Sequence, residues 1–430
     1  MIKSYELKNM SDDIRCFLLG RSSIDIKSAK DTVTRIIEDV KRDGDESLKK
    51  YTEVFDHVKL DTFRVTKEEI DDAKRTIDQD LVSKIKQQIE YSKMFHKMQV
   101  CKDWKCEIDK GIVLGEKYTP IESVGLYVPG GRAVYPTVLQ ILAVPAKIAG
   151  VPRVAVCTPP NRDGEISEPV LVTASLLGID EIYKVGGAQA IAALAYGTAS
   201  IKPVKKIVGP GNIYVSCAKL LVFGKVDIDM FAGPSEVLII ADSSANPIFV
   251  VADMLARCEH DPNASAVLLT NSRELAANVK TEITRQFPGL KRQGIIKKSL
   301  AKYSAIVISD DWDAIIDFTN EYAPEHLEIM VEEPWGMLPK IVNAGSIFLG
   351  DYAPVAVGDY ASGTNHVLPT GQYAKMFSPV GVETFQKKSE FQYITRNGLK
   401  TLDPIIRKIS EVEGLDAHYN SVKVRLEEKI

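Results

Sequence analysis

Apolar residues recur along this chain at two different spacings, and the change between them divides the sequence. Over the first hundred residues they follow a helical period, as at Val33, Ile36 and Val40, which predicts helices there. From about Ser123, short runs of valine, isoleucine and leucine alternate with helical stretches. Strands of this composition are typical of parallel sheets with helices on both faces. The pattern therefore predicts an α/β fold.

The alternation of strands and helices occurs in two successive runs. The first run of predicted strands extends from 124–128 to 206–208, and the second from 237–241 to 346–349. We interpret them as two doubly wound domains, with ligands expected beyond the carboxyl ends of the strands. Residues 381–430 contain amphipathic helical stretches but too little apolar surface for a core, so we expect them to pack on the body or on a second subunit.

Composition and charge exclude several classes of protein. Of the 430 residues, 45% are hydrophobic and 26% are charged, and the net charge is −4, so a nucleic-acid partner is not expected. The sequence has no apolar run near the ~20 residues of a membrane span. Its first residues lack the apolar core of a signal peptide. Because the six cysteines are scattered, we expect reduced thiols and a cytoplasmic protein.

Most of the histidines lie in short segments that also contain acidic residues. These histidines are His260, His326, His366 and His418. Histidine carries protons near neutral pH and binds metals, so such segments suggest an enzyme site assembled from distant parts of the chain. His57 and His96 lie in charged helical stretches and are predicted to be exposed and without a role.

Glycine-containing turns follow predicted strands at 129–131, 186–189 and 209–212. Glycines at the start of a helix let phosphate groups approach its amino end. The turns do not have the spacing of a dinucleotide fingerprint, and each alone is equally well explained as a structural turn. Together on one sheet edge they favour a cofactor cleft. Segment 232–236 is interpreted as a turn between domains, with Ser235 as a candidate contact.

Candidate proton-transfer and metal-binding groups stand at a few positions. Glu325 precedes His326 at a predicted strand, where a carboxylate beside an imidazole would suit a proton relay. A chance pair of surface residues is the alternative. Asp359 lies in a stretch of small residues, and such loops are usually functional. His260, Asp359 and His418 are residue types that bind zinc, but they are too far apart in the chain for spacing to support a metal site.

Taken together, five segments resemble the histidinol dehydrogenase family. They are 125–131, 209–212, 232–236, 323–328 and 358–366. The Ala-Pro-Glu-His and Gly-Asp-Tyr-Ala-Ser-Gly-Thr-Asn-His sequences within them are highly specific to that family. The resemblance extends from about residue 25 to the C-terminus.

The resemblance implies an intertwined homodimer. Each chain would form two doubly wound, incomplete Rossmann-like domains, with a helical N-terminal region and a small C-terminal dimerisation tail. The implied boundaries are 1–24 for an N-terminal segment, 25–124 with 237–380 for the first domain, 125–236 for the second domain on the NAD side, and 381–430 for a helical tail that packs on the partner subunit.

The resemblance also implies NAD-dependent oxidation of an alcohol through an aldehyde to a carboxylate, nominally of L-histidinol to L-histidine in histidine biosynthesis. His326 would take the alcohol proton, and Glu325 would activate the water that attacks the aldehyde. The NAD contacts match Tyr127, Gln189 and Asn212. The substrate contacts match Ser235, His260, His326, Asp359, Glu413 and His418, of which the last two would come from the other subunit.

One residue departs from the family pattern. The family binds zinc through a glutamine, two histidines and an aspartate; His260, Asp359 and His418 match three of these, and Arg257 replaces the glutamine. A guanidinium donates hydrogen bonds and stays charged, so it cannot ligate zinc. Either Arg257 turns away and water fills the position, or it takes the place of the cation and pairs with Asp359 or Glu413. Zinc is therefore doubtful.

Three functions stay open at this point. The first is histidinol oxidation. The second is a zinc-independent paralog in which Arg257 binds a different, anionic alcohol. The third is an inactive homolog with a binding role, against which the presence of Glu325, His326, Tyr127 and Asn212 argues.

Overall fold

The computed structural model describes residues 2–21, 26–130, 134–230 and 233–427. Strands β1 to β14 are, in chain order, Lys3–Glu6, Trp104–Asp109, Ile112–Pro120, Ser123–Tyr127, Arg153–Thr158, Ile182–Lys184, Lys206–Val208, Asp227–Ile228, Glu236–Ala241, Ser265–Thr270, Ala305–Ile308, His326–Met330, Ser346–Leu349 and Gln386–Ile394. Helices α1 to α17 are Asp12–Leu19, Ile26–Asp43, Asp45–Asp56, Lys67–Thr76, Gln79–Lys97, Pro136–Ile148, Glu168–Leu176, Gly187–Tyr196, Ile213–Val222, Pro247–Cys258, Arg273–Gln286, Gln293–Lys302, Trp312–Tyr322, Pro334–Met337, Val355–Tyr360, Arg396–Glu413 and Asp416–Glu427.

Some predicted features fall outside the described residues. They are residues 22–24 of the N-terminal segment, Gly131 and Ala232 of the quoted turns, and residues 428–430 of the tail. Among the helices that are described, there is none with the length and apolar character needed to cross a membrane.

A five-stranded parallel sheet forms one half of the body. Its order is β6-β5-β4-β7-β8, which counted along the chain is 3-2-1-4-5, a Rossmann order without its last strand. Helices α2, α3, α8 and α9 cover one face, and α4 to α7 cover the other. Strand β4 is buried along its whole length, as expected for a strand covered on both faces.

A six-stranded parallel sheet forms the other half, in the order β1-β11-β10-β9-β12-β13. Strands β9 to β13 repeat the 3-2-1-4-5 order, and β1 adds an edge strand from the N-terminus. Helices α10 to α12 pack on one face, with α1 and α13 on the other. The prediction of two doubly wound, incomplete Rossmann-like domains is confirmed.

The boundary of the first domain differs from the prediction. Residues 25–124 were assigned to the domain of 237–380, but helices α2 to α5 pack on the five-stranded sheet. The apolar stripe of α2, including the buried Val33 and Ile36, faces α8 and α9. Helix α8 is rich in alanine, and small side chains allow helices to approach closely.

Five of the described strands were not predicted, namely β1, β2, β3, β8 and β14, and β1 lies where helices were predicted. Strand β1 lies in the N-terminal segment and pairs with β11. Strand β14 lies in the tail and pairs with β3 over nine residues, in an antiparallel sheet with β2. Strands β1 and β14 carry mostly polar or partly exposed residues, so neither has the apolar run that marked the central strands. The tail is thus a strand followed by two helices.

Candidate active site

The predicted cofactor turns meet at one place on the five-stranded sheet. Strands β4 and β7 are neighbours, and the chain order reverses between them, which is where open α/β sheets bind ligands. Gly209 follows β7 with φ +137°, and a Cβ there would lie 2.2 Å from the carbonyl oxygen of Tyr127. Only glycine fits this approach. The turns after the two strands therefore contact each other beyond the carboxyl ends.

The predicted NAD contacts line this switch point. The hydroxyl of Tyr127 accepts a hydrogen bond from Gly187 N at 3.0 Å, and burial raises its pKa. Gln189 is 1% exposed, and neither atom of its amide has a hydrogen-bond partner within the described parts of the chain. Asn212 caps α9, because its Oδ1 accepts from Tyr214 N and Val215 N. The buried, unpaired amide of Gln189 fits a polar ligand at this edge.

A cavity of about 230 Å³ opens beside the same edge. Its lining includes Gly130 after β4 and Thr158 and Asn161 at the end of β5. The cavity lies at the carboxyl ends of adjacent strands, in agreement with the expected position of a ligand.

The predicted catalytic pair lies at the amino ends of strands, whereas the predicted cofactor turns lie at carboxyl ends. Glu325 and His326 stand at the amino end of β12, beside Ser235 and Glu236 at the amino end of β9. Because the two strands are parallel neighbours, their amino ends bring these distant residues together.

Hydrogen bonds fix both members of the pair. Oε2 of Glu325 accepts from Ser235 Oγ at 2.6 Å and from Glu236 N at 2.8 Å. Nδ1 of His326 lies 3.1 Å from the carbonyl oxygen of Glu236. A carbonyl oxygen can only accept, so Nδ1 carries the hydrogen and neutral His326 has its lone pair on Nε2. Asp359 Oδ1 lies 3.8 Å from Nε2.

The charges in the site favour a protonated His326. Burial and Arg257 lower the pKa of His326, but Glu325 and Asp359 outweigh them and raise it to about 9. Burial acts to raise the pKa of Asp359, but His326 and Arg257 lower it to about 2. The pKa of Glu325 is also lowered, because His326 and Arg257 outweigh its burial. The site without substrate thus stores a proton on the imidazole between two carboxylates.

Arg257 points into the cleft. The residue is 5% exposed, its Nη1 donates to Ser235 Oγ, and its Nη2 lies 3.8 Å from Asp359 Oδ2. His260 follows at the end of α10, where surrounding protein and the charge of Arg257 lower its pKa. Of the two alternatives for Arg257, the structure has the one in which the guanidinium lies beside Asp359.

The predicted zinc ligands are only partly brought together. Across the residues that the structure describes, there is no group of three His, Cys, Asp or Glu side chains able to hold a metal. His418 and Glu413 lie on the tail, where both are exposed. Within one chain, therefore, the cleft contains Ser235, Arg257, Glu325, His326 and Asp359 but receives nothing from the tail.

Several polar residues near the site were not predicted. Arg21 and Glu236 form a buried ion pair behind Glu325. Half-buried Asp253 and buried Glu328 form a carboxyl pair, in which loss of solvent raises the pKa of Asp253 to about 6 and of Glu328 to about 8. An acidic residue inside an apolar strand is a usable signal for Glu236 and Glu328. We found no such signal for Arg21.

The prediction for His96 was wrong. His96 is fully buried in α5, where Nδ1 donates to Ser92 O at 2.8 Å and burial lowers its pKa. It lies on the inner side of a helix whose charged residues mark only the outer side. His57 is exposed, as predicted.

Two Rossmann-like sheets, one with a cofactor-type edge and the other with a carboxylate–imidazole pair, define an α/β oxidoreductase. A family model described as histidinol dehydrogenase matches residues 19–426. Histidinol dehydrogenase from Methanothermobacter thermautotrophicus is 48% identical over 95% of this chain and 96% of its own. That from Methanocaldococcus jannaschii is 47% identical, over 98% of each chain.

Among solved structures, the crystal structure of histidinol dehydrogenase from Elizabethkingia anophelis is similar with a TM-score of 0.95. It is 38% identical, and the match covers 99% of this chain and 98% of that one. The chain belongs to the histidinol dehydrogenase family. The resemblance inferred from the five sequence segments is confirmed.

Proposed function

We propose that this protein oxidises histidinol to histidine through the aldehyde, with NAD as the hydride acceptor, in histidine biosynthesis. The observation that carries this proposal is the geometry of the catalytic pair. His326 is anchored through Nδ1, which leaves Nε2 as a base, and a held carboxylate, Glu325, lies beside it. Family membership supports the choice of substrate.

In the alcohol step, Nε2 of His326 accepts the hydroxyl proton. Meanwhile Nδ1–H keeps its hydrogen bond to the carbonyl oxygen of Glu236. The carbon of the resulting alkoxide then gives up a hydride and becomes the aldehyde carbon. Bound NAD supplies the acceptor for that hydride. The guanidinium of Arg257, buried beside Ser235, favours negative charge on the oxygen.

In the aldehyde step, Glu325 acts as the base. Ser235 and Glu236 donate to Oε2, which orients the carboxylate, and Glu325 takes a proton from the water that attacks the aldehyde carbon. The hydrate anion gives up a second hydride and becomes the carboxylic acid, which loses its remaining proton to solvent and becomes the carboxylate. Each histidinol thus yields two hydrides. Neither Glu325 nor Asp359 becomes bonded to the substrate.

We infer that NAD binds at the carboxyl end of the five-stranded sheet. Tyr127, Gln189 and Asn212 would hold it, together with the turns at Gly130 and Gly209. The unpaired buried amide of Gln189 and the position where a Cβ would collide with the chain both fit a ligand that approaches the backbone closely.

We also propose a homodimer with shared sites. Helix α16 exposes Ile405, Ile409 and Val412, and such a face normally packs against protein. The same tail carries Glu413 and His418, which are far from the cleft residues in sequence and exposed. Each tail would therefore complete the site of the other subunit.

Zinc fits this donor set poorly. Arg257 Nη2 lies 3.8 Å from Asp359 Oδ2, so a cation ligated by Asp359 would face a fixed positive charge a few ångströms away. A buried guanidinium already supplies the charge that a metal would bring. We propose that the native protein binds zinc weakly and depends on Arg257 instead.

The substitution Arg257→Gln tests this proposal. It restores a carbonyl oxygen to the site and removes the charge, so the variant should bind zinc while the native protein should not. The measurement is zinc per subunit after equilibration and gel filtration, with Arg285→Gln as a matched control on an exposed arginine. Stoichiometric zinc in the native protein would contradict the proposal.

A second function is favoured by the same residue. A buried arginine in the cleft would bind a carboxylate bidentately, so an alcohol that carries an anionic group is the alternative substrate. NADH formation should be compared for histidinol and for hydroxy acids of similar size. A higher kcat/KM with a hydroxy acid would favour the alternative.

The substitution Glu325→Gln tests the proposed mechanism itself. The variant should still bind NAD and oxidise the alcohol, but it should oxidise the aldehyde much more slowly, because its amide cannot accept a proton from water. The yield of NADH per histidinol should then fall from two towards one. Unchanged rates of both steps would remove Glu325 from the mechanism.

A further inference from the structure

The amino ends of β9 and β12 are held together by side chains. In the parallel ladder His326 lies opposite Val237, so Glu325 and Glu236 stand just before the paired residues. Glu236 N donates to Glu325 Oε2 at 2.8 Å, and Glu325 N donates to Glu236 Oε1 at 3.2 Å. Each glutamate thus accepts the backbone hydrogen of the other, an arrangement that fixes both carboxylates relative to the sheet.

Glu236 also holds the imidazole. Its carbonyl oxygen accepts the Nδ1 hydrogen of His326 at 3.1 Å. One residue outside the catalytic pair therefore makes three hydrogen bonds to it, through its backbone N, its carbonyl oxygen and its carboxylate. A small movement of Glu236 would move both reacting groups together.

The carboxylate of Glu236 is neutralised by Arg21. The two side chains are 0% exposed, and Nη2 of Arg21 lies 2.9 Å from Glu236 Oε1. The guanidinium lies 3.2 Å from the centre of the Tyr322 ring and donates to Tyr322 O at 2.6 Å. Without this charge two buried carboxylates, of Glu236 and Glu325, would repel each other across the strand ends.

The ion pair also joins two other segments to the site. Oε1 of Glu236 accepts from Gly371 N at 3.2 Å. Leu19 O accepts from Arg21 Nη1 at 3.1 Å and from Gln372 Nε2 at 2.9 Å. The N-terminal segment and the loop at 371–372 therefore meet at the carboxylate that holds the catalytic pair.

We propose that Glu236, neutralised by Arg21, is the positioning residue for Glu325 and His326. It acts through those residues and has no contact with the substrate in this role. The inference rests on the proposed function, since it concerns the rate of that reaction. It gives the N-terminal segment, through Arg21, a part in catalysis.

The competing explanation is an ion pair that only stabilises the fold. The chain offers a matched control for it in Arg153 and Glu181, a bidentate pair at 2.6 and 3.0 Å. These residues lie at the amino ends of β5 and β6, so this pair also stands at the amino ends of parallel strands, although it is partly exposed. The other hydrogen bonds of this pair join Lys202 O, Pro203 O and Tyr183, and in the described part of the chain none of them reaches Glu325 or His326.

The experiment compares Glu236→Gln with Glu181→Gln in the full-length protein. Both should lower the melting temperature. Glu236→Gln should reduce kcat for histidinol by about a hundredfold, the effect of a displacement of about 1 Å at a reacting group. The KM values for histidinol and NAD should stay within about threefold, since neither ligand is bound by Glu236. Glu181→Gln should keep kcat.

Glu236→Asp serves if the glutamine variant does not fold. It keeps the charge next to Arg21 but is shorter by one methylene, so it should fold and still lose about tenfold in kcat. A kcat equal to that of the native protein in a folded Glu236 variant, or an equal loss in Glu181→Gln, would overturn the inference. Native protein that makes no NADH from histidinol would instead overturn the proposed function.

Discussion

The chemistry of the site depends on which nitrogen of His326 is available. Nδ1 is committed to the carbonyl of Glu236, and the bare nitrogen is therefore Nε2, which has no hydrogen-bond partner in the described structure. The neighbouring carboxylates of Glu325 and Asp359 raise the pKa of His326 to about 9. The imidazole is consequently charged at neutral pH and must lose its proton before it can act as a base.

Alcohol oxidation should therefore increase with pH. Since the pKa of His326 is raised, the base form is scarce at neutral pH and predominates above the midpoint, about 9. The measurement is kcat/KM for the alcohol step across this range, because kcat/KM follows the titration of the substrate-free site. Asp359→Asn should lower the midpoint, because it removes a carboxylate that stabilises the charged imidazole. A rate that is constant from neutral pH to above the midpoint would contradict this assignment.

At the residue scale, the sequence identified site residues that are neighbours in the chain or that lie in a segment with a family pattern. Glu325 and His326 were found as a pair, and Arg257 was found as a departure from a pattern. Arg21 was missed because it contacts Glu236 across more than two hundred positions of the chain. Spacing reports periodicity over a few turns or strands, whereas this contact depends on how the N-terminal segment docks.

At the scale of elements, the central strands were predicted well. Strand β7 was placed at its observed bounds, and β4 and β9 within one residue, because buried parallel strands are continuous apolar runs. The edge strand β1 and the antiparallel β14 were missed. Each has a polar, partly exposed side, so each gains its stability from pairing and not from a pattern visible in the sequence.

A buried lysine forms hydrogen bonds that stabilise the turn at Gly209, at the cofactor edge. Lys219 in α9 donates to Gly209 O at 2.9 Å and Met230 O at 3.0 Å. It also pairs with Asp229, whose Oδ2 accepts from Gly209 N at 2.8 Å. The backbone of Gly209 is thus held on both sides by one ion pair.

Lys219→Met should weaken NAD binding. Loss of a buried, charge-assisted hydrogen bond is expected to raise the KM for NAD by about tenfold or more, while kcat at saturating NAD changes much less. Lys206→Met is the control, since Lys206 pairs with Asp227 at the other end of β7. A KM for NAD that is unchanged in the Lys219 variant would show that NAD binding does not depend on the contacts of Lys219 with this turn.

At the scale of the whole molecule, the role of the tail is not apparent from one chain alone. Strand β14 fixes it to the body through β3, but α16 exposes apolar side chains and His418 is exposed. The sequence predicted that the tail packs on the body or on a second subunit, because it contains too little core. It could not predict where a second subunit would receive the tail, since that depends on the arrangement of two subunits.

Two variants that do not oxidise the aldehyde should therefore regain that activity when they are mixed. His418→Ala damages the tail and Glu325→Gln damages the cleft, so a heterodimer would contain one site with both residues intact. Activity should appear after subunit exchange and should be absent when Glu325→Gln is mixed with His326→Gln. A fully active monomer by light scattering would exclude shared sites.

We propose that Glu325 and His326 catalyse both oxidation steps of histidinol without a bound metal. The most direct measurement is the yield of NADH from limiting histidinol, with protein that has been stripped by chelator and shown to contain no zinc. We expect two NADH per histidinol, at the same rate as before treatment with chelator. No NADH until zinc is added back would contradict it.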